Sequence, residues 1–394
     1  METEVVLAGA VRTPIGKFGG ALASLTAVDL GVRACVAALE RAGLAPDQVD
    51  QAIVGHARQA GCGPNPARQA AVRAGLPVER PAMTINQACL SGMQAIMDAA
   101  RAIRLGEAEV VLAAGMEAMS RIPFLLDARW GYRMGHQQLT DCMYRDGFFD
   151  PICGRIMGET AETLARRYEI SREEQDAYAA ATQQRCEEAR RAGRFRDEIV
   201  EVEIQEKKGS RSVAEDEHPR DGVTPSSLSR LAPVFTADGS VTAGNSSGIT
   251  DAAAAVVVLG AAAAERLGVR PMARLIDYRV DGVDPAIMGI GPVPAVRNLL
   301  ERTRIPLERI DLIELNEAFA AQVLAVDREL RLPRERLNVN GGAIALGHPI
   351  GCSGSRIVVT LLHEMARRGA RTGLATLCVS GGMGGAMLLE RLGD

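Results

Sequence analysis

Short unbroken apolar runs alternate with longer stretches of helical spacing through the first 120 residues. The runs EVVLAGA (4–10), QAIVGH (51–56), AMTINQA (82–88) and EVVLAAG (109–115) predict buried strands. Between them, apolar positions at helical intervals predict helices over 27–42, 66–75 and 91–106. The first helix carries its own boundary signals. Thr26 and Asp29 have capping-box spacing, and Gly43 supplies a stop. Ser91 and Gln94 have the S-x-x-Q form of the same spacing at the start of the third. This alternation predicts a mostly parallel sheet covered by helices.

The rhythm breaks between residues 121 and 250, which hold the only Trp and most of the Tyr and Phe. A charged helix over 171–193 and a polar stretch over 207–222 are the main features expected there, in a large loop-rich insertion suited to binding. The strand–helix rhythm then returns. DAAAAVVVLG (251–260, possibly helical at its start), ARLIDYRVDG (273–282), IDLIELN (310–316), TGLATLC (372–378) and AMLLERL (386–392) predict strands. Helices are expected over 292–303, 317–330 and 354–369. A faint repeat links the two ends: a helix closing on Gly106 or Gly369, an apolar strand, then small residues with a Gly-Met pair. Two similar α/β halves are expected. One comprises 1–120 with 251–271, the other 272–394, and 121–250 forms the insertion between them.

Composition narrows the function classes. The 394 residues carry a net charge of −4 and are 47% hydrophobic, with 41 glycines and only 3% aromatics. No basic stripe interleaved with aromatics is present, so no nucleic-acid partner is expected. The apolar run at 252–264 is broken by Gly260 and too short for a bilayer, so no membrane span is expected. The N-terminal stretch lacks a signal-peptide pattern and the C-terminal residues lack a Ser-Lys-Leu address, which makes the cytoplasm the expected compartment. The eight cysteines show no C-x-x-C spacing, so no metal site is expected and free thiols are.

Four polar residues fall at strand ends or in the loops that follow, the edge where α/β sheets assemble sites. Cys89 precedes a helix N-terminus, whose partial positive charge would lower a thiol pKa and suit a nucleophile; a buried structural cysteine fits the same position. His348 sits between Gly347 and Pro349 in a stiff loop, a fixed presentation suited to a general base, although lone histidines are more often structural. Asn316 could donate to an oxyanion, but read alone it is better explained as a helix N-cap. Cys378 ends a strand before a run of small residues, either beside a substrate or in an incidental turn.

Taken together, GAVRTPIGKFGGAL, GPNPARQAA, INQACLSGMQAI, FTADGSVTAGNSSGITDAAAA, MGIGPVPA, NEAFAAQ, NVNGGAIALGHPIGCSGSRI and CVSGGMGGAM resemble the thiolase family, in family order and along nearly the whole chain. The resemblance implies a thiolase fold, with two βαβαβαββ halves in an αβαβα five-layer core plus an inserted loop domain. It implies reversible acyl transfer between a 3-ketoacyl-CoA and CoA, with Cys89 as the acylated nucleophile, His348 as its base and Cys378 as a second acid/base. It further implies Asn316 as the holder of an oxyanion-hole water, and the backbone N–H groups of Cys89 and Ser380 as a second hole. Arg220, Ser227, Leu231, Phe235, Ala243, Gly244 and Ser247 match CoA contacts, and Met157 and Met288 match acyl-pocket residues. No cofactor beyond the CoA substrate is implied, and family members are homodimers or homotetramers. Two departures stand out. Ser380 replaces the usual Gly, and a serine would be strained at positive φ. Ile156 replaces a His found in acetoacetyl-CoA-specific members, which implies a more apolar pocket. A related condensing enzyme and a non-catalytic lipid carrier of the same superfamily are the alternatives.

Overall fold

The computed structural model describes residues 3–207 and 209–393. Nine strands form one continuous path: β1 (Val5–Arg12), β2 (Gln51–Gly55), β3 (Ala82–Ile85), β4 (Val110–Ala118), β5 (Thr250–Gly260), β6 (Ala273–Gly282), β7 (Leu312–Leu315), β8 (Thr372–Val379) and β9 (Met383–Arg391). Their spatial order is β7-β8-β9-β6-β1-β5-β4-β2-β3. The path is two half-sheets joined at a narrow seam. Between β1 and β6 only Val6–Arg274 and Leu7–Ala273 are in register. On either side the order repeats outward: a first strand, the last strand of the half, then the parallel strands.

Alternation along the buried strands sets the layers. Along β5, Ala252, Ala254, Val256 and Val258 face one core, and Ala253, Ala255, Val257 and Leu259 face another. The outer core is closed by α1 (Ala27–Ala42) and α2 (Pro66–Arg73). The central core holds α3 (Ser91–Arg104) and α8 (Ile350–Arg368) between the half-sheets. A third core lies under α6 (Pro292–Thr303) and α7 (Ala320–Leu330). The result is the five-layer arrangement expected of the thiolase fold. No helix among the described residues is long and apolar enough to cross a membrane.

The two central helices approach unusually closely because glycines line their crossing. A Cβ on Gly92 would stand 2.7 Å from the Ser355 backbone nitrogen, and one on Gly354 would stand 2.5 Å from that of Met93. Real Cβ atoms do not tolerate such contacts, so the crossing requires glycine. Cys89 lies just before α3 and His348 just before α8. The close crossing therefore brings together two residues 259 positions apart in the chain.

Several boundaries differ from the sequence reading. The α1 capping box and its Gly43 stop are present, with Gly43 at φ 69°. The box expected at Ser91 and Gln94 is absent. Ser91 Oγ instead donates to Ala88 O and accepts from Gln87 N–H, and Gln94 donates to Asp98. Thr250–Gly260 is strand throughout, with no helical start. The insertion holds the expected charged helix as α5 (Arg172–Arg191), capped by Ser171. It also holds α4 (Met157–Arg167), which the sequence reading left within loops. The helix expected from 317 begins at Ala320, because Glu317 is used elsewhere.

Candidate active site

Cys89 occupies a single 3-10 turn, Ala88–Leu90, between β3 and α3. The turn is held tightly. Ala88 takes φ 46°, a left-handed conformation that costs a non-glycine residue about 1–2 kcal/mol. Its N–H donates to Asn86 Oδ1, and its carbonyl accepts from Ser91. His348 approaches from the other half, and its Nε2 lies 3.2 Å from Cys89 Sγ.

Hydrogen bonds fix the histidine tautomer. Ser353 Oγ donates to Pro349 O at 3.0 Å, so it can only accept from the imidazole. His348 Nδ1, 2.5 Å from Ser353 Oγ, therefore carries the proton. Nε2 is left with a lone pair facing the thiol, and the Cys89 S–H donates to it. Burial, reinforced by the charges of Arg356 and Arg58, pushes the His348 pKa down to about 3. The ring is neutral at physiological pH and available as a base.

The helix position of Cys89 suggested a lowered thiol pKa, but the net direction is upward. Burial raises it, and Arg58 with the backbone N–H groups of Ser380 and Cys89 offsets this only in part. The resting pair is a neutral thiol against a neutral imidazole. The two N–H groups that converge on the sulfur are the ones the family resemblance assigns to an oxyanion hole. Ser380 is not at positive φ; Gly381 (87°) and Gly382 (81°) take the left-handed positions instead. The strain expected for Ser at 380 is thus absent. A Cβ on Gly382 would stand 2.3 Å from Val283 O, so the turn after β8 needs glycine there.

Cys378 lies one residue before the end of β8 and is buried among Met288, Ala318 and Phe319. Burial and the neighbouring Cys89 hold its thiol well above the ordinary range, so it rests protonated. Cys89, His348, Cys378 and Ser380 all line one cavity of about 460 Å³. Met157, Met288, Arg220, Phe235, Ala243 and Ser247 line it too, as does Ile156 at the departure noted above. Arg220 forms no ion pair among the described residues; its neighbours Asp216 and Asp221 pair with Arg12 and Arg190. Three expected contacts lie outside the lining. Ser227 is exposed on the short helix Pro225–Leu228, bonded to Thr224. Leu231 packs against Gly244 beside the cavity rather than in it.

Asn316 is not a helix N-cap, since Phe319 holds that position. It is fully buried, and both side-chain amide atoms lack a hydrogen-bond partner. A buried amide in that state is completed by a water or a ligand oxygen.

Sequence reasoning missed the groups that support these residues. Ser353 orients the His348 ring, but a serine inside a small-residue helix start gives no sequence signal. Glu317 is fully buried and accepts from Tyr178, Thr182, Asn338 and the Ile344 N–H. It ties α5 to the loops carrying Asn316 and His348, and only a glycine at 342 leaves room for its carboxylate. Glu117, also buried, accepts from the Arg58 and Gly351 N–H groups and meets His56 at 3.2 Å. Glu317 sits in the NEAFAAQ motif, and its burial is what sequence could not show.

Comparison with known proteins agrees with this architecture. The thiolase N-terminal domain profile matches residues 5–262, and the thiolase C-terminal domain profile matches 269–391. The chain is 53% identical over 390 residues to an acetyl-CoA acetyltransferase of Pseudomonas aeruginosa, covering 98% of this chain and 99% of the relative. It is 52% identical to one of Cupriavidus necator, covering 99% and 100%. Among solved structures, the acetyl-CoA acetyltransferase of Syntrophomonas wolfei superposes with TM-score 0.98 at 42% identity over 100% of both chains. Human mitochondrial 3-ketoacyl-CoA thiolase in complex with CoA gives 0.96 at 43% identity, covering 99% of this chain and 98% of the other.

Proposed function

From its membership of the thiolase family, we propose that this chain catalyses CoA-dependent cleavage of 3-ketoacyl-CoA and, in reverse, condensation of two acetyl-CoA to acetoacetyl-CoA. The observation that carries the reading is the Cys89–His348 pair at 3.2 Å, with the protonated Cys378 on the same cavity.

The chemistry follows from the proton inventory. Cys89 Sγ attacks the 3-keto carbon as its proton passes to His348 Nε2. The Cys89 and Ser380 N–H groups stabilise the resulting oxyanion. The C2–C3 bond then breaks, leaving an acyl thioester on Cys89 and the enolate of acetyl-CoA. The enolate oxygen is held by protonated His348 and a water on Asn316. Cys378 gives its proton to the enolate carbon, and acetyl-CoA leaves. A thiol kept protonated by burial suits that step. The thiol of a second CoA attacks the thioester, giving its proton to the Cys378 thiolate, while His348 returns its proton to the departing Cys89 sulfur. Acyl-CoA departs and free Cys89 is regenerated.

Residues 121–250 serve as the CoA-binding loop domain in this reading, between halves 1–120 with 251–271 and 272–394. Arg220 suits a CoA phosphate or the adenine, and Ser247 suits the pantetheine amide. Ser227, Leu231 and Gly244 would act at the rim. No cofactor other than the CoA substrate enters any step. Self-association into dimers or tetramers is supported by exposed Phe124, Trp130, Met134 and Leu139 in one segment and by Met83 on the edge strand β3. Eight unpaired cysteines favour a reducing compartment such as the cytoplasm.

The test is thiolysis of acetoacetyl-CoA and a longer 3-ketoacyl-CoA by wild type and Cys378→Ser. CoA-dependent turnover that falls about 100-fold or more in the variant is expected. Turnover that survives Cys378→Ser, or that proceeds without CoA, would refute the mechanism.

A further inference from the structure

Two histidines line the cavity, and the mechanism uses only His348. The other, His218, comes from the insertion and is half-buried. Its ring is fixed at one end. Nδ1 lies 2.7 Å from Ala345 O, and a carbonyl can only accept, so Nδ1 carries the proton. Burial holds the His218 pKa below the ordinary histidine value; the Ala345 carbonyl opposes this, and Arg220 adds to the lowering. The neutral ring therefore presents a lone pair at Nε2.

That lone pair is unused. Nε2 has no hydrogen-bond partner among the described residues, and it is not one of the atoms sealed inside the protein. It lies directly over Gly248, where a Cβ would stand 2.0 Å away, so only glycine lets the ring occupy this place. Gly248 O in turn accepts from the His348 N–H at 2.9 Å. One end of the ring thus holds a carbonyl three residues before His348, and the other rests on the residue bonded to the His348 backbone.

The position falls on the path that CoA must take. In the second half-reaction its thiol has to reach the acyl group on Cys89, while Arg220, exposed two residues beyond His218, suits the phosphates or the adenine. The pantetheine arm must therefore cross the wall between them, which His218 shares with Ser247 and Gly248. That arm carries amide N–H groups and a hydroxyl, donors that lose water on entering a cavity walled by Met157, Met288, Phe235 and Phe319. A donor left unpaired there is costly. We propose that His218 is a substrate-binding residue, and that its Nε2 accepts a hydrogen bond from an N–H or O–H of the pantetheine arm. The inference rests on the thiolase reading above.

Two substitutions in the full chain separate the ends of the ring. His218→Asn puts an amide nitrogen near the place of Nδ1, so it keeps a donor for Ala345 O and removes the acceptor. His218→Gln puts an amide oxygen near the place of Nε2, so it keeps the acceptor and loses the tie to Ala345. The measurements are the Kd of CoA by titration calorimetry and the kinetics of acetoacetyl-CoA thiolysis. His218→Asn should raise both Kd and the KM for CoA about 5- to 20-fold with kcat within about twofold, the pattern of lost uniform binding. His218→Gln should stay within about threefold of wild type. Equal losses in the two variants, the reverse order, or unchanged CoA affinity in His218→Asn would overturn the inference and leave the thiolase reading intact. Thiolysis by pantetheine and by N-acetylcysteamine then locates the donor. A His218→Asn loss with both thiols assigns it to the amide nearest the sulfur, and a loss with pantetheine alone assigns it to the farther amide or the hydroxyl. A loss seen with CoA but with neither thiol would place the contact on the nucleotide and overturn the inference. A wild type that neither binds CoA nor catalyses thiolysis would overturn both readings.

Discussion

Replacing Ser353 with alanine tests whether the histidine tautomer is set by a single hydroxyl. In the wild type, His348 Nδ1–H is buried against Ser353 Oγ, which is itself committed as a donor to Pro349 O. Alanine removes the only acceptor shown for that N–H. A buried donor left unpaired costs about 1–3 kcal/mol. The same energy is the bias that keeps the proton off Nε2. Without it, the ring can carry its proton at Nε2, where it faces the Cys89 S–H and cannot accept. At about 1.4 kcal/mol per tenfold, the productive fraction and kcat/KM should fall about 10- to 100-fold. The assay is thiolysis of acetoacetyl-CoA, paired with the rate of Cys89 alkylation by iodoacetamide, which reads thiol activation directly. Both should fall together in Ser353→Ala, and Ser353→Thr, which keeps the hydroxyl, should recover much of the loss. A melting temperature close to wild type would exclude simple unfolding. If Ser353→Ala stays within about twofold of wild type in both assays, the tautomer argument is wrong.

Two further outcomes follow from buried groups. The folded pKa of His348, about 3, lies below the ordinary histidine value, so the unfolded chain binds its proton first as pH falls. Stability should therefore be insensitive to this residue above about pH 6.5 and decline below it, by up to about 2 kcal/mol between pH 7 and 5. Urea midpoints for wild type and His348→Gln at the two pH values would show a steeper decline in wild type, and parallel declines would contradict the assignment. Glu317→Ala would strand buried donors on Tyr178, Thr182, Asn338 and Ile344, a loss of about 3–5 kcal/mol. Scanning calorimetry should show a melting temperature lower by roughly 4–6 °C, and a change under about 2 °C would show that the carboxylate is not the tie described.

What the sequence made legible is mostly local. Thr26, Asp29 and Gly43 bracket α1 through interactions within a few residues, so their spacing alone suffices. The order of motifs gave the catalytic candidates, because strand ends carry the site in this class of fold. Long-range consequences were harder to read. Asn316 looks like an N-cap in sequence, since nothing local shows that Glu317 is drawn inward and delays the helix until Ala320. The thiol pKa of Cys89 follows helix position in sequence, but burial in a cavity between two halves reverses its direction. Arg58 and Ser353 had no signal, because their roles depend on which distant loops reach them. Helix α4 was missed although Glu159 accepts from Ile156 N–H in a readable N-terminal pattern; glycine and threonine in its first turns obscured the spacing.

The seam between the half-sheets has a consequence for how activity first arises. Cys89 belongs to the early half, while His348, Cys378 and Ser380, to which the proposed mechanism gives the base, the second thiol and one arm of the oxyanion hole, belong to the late one. During synthesis, Cys89 is made long before residues 348–380 follow. Until α3 and α8 cross at their glycines, the growing chain carries a thiol with no base and no hole. Acyl transfer therefore begins only when nearly the whole polypeptide has emerged and both halves have docked. Turnover thus acts as a report on completed assembly, and partly made chains are spared chemistry with the acyl-CoA around them.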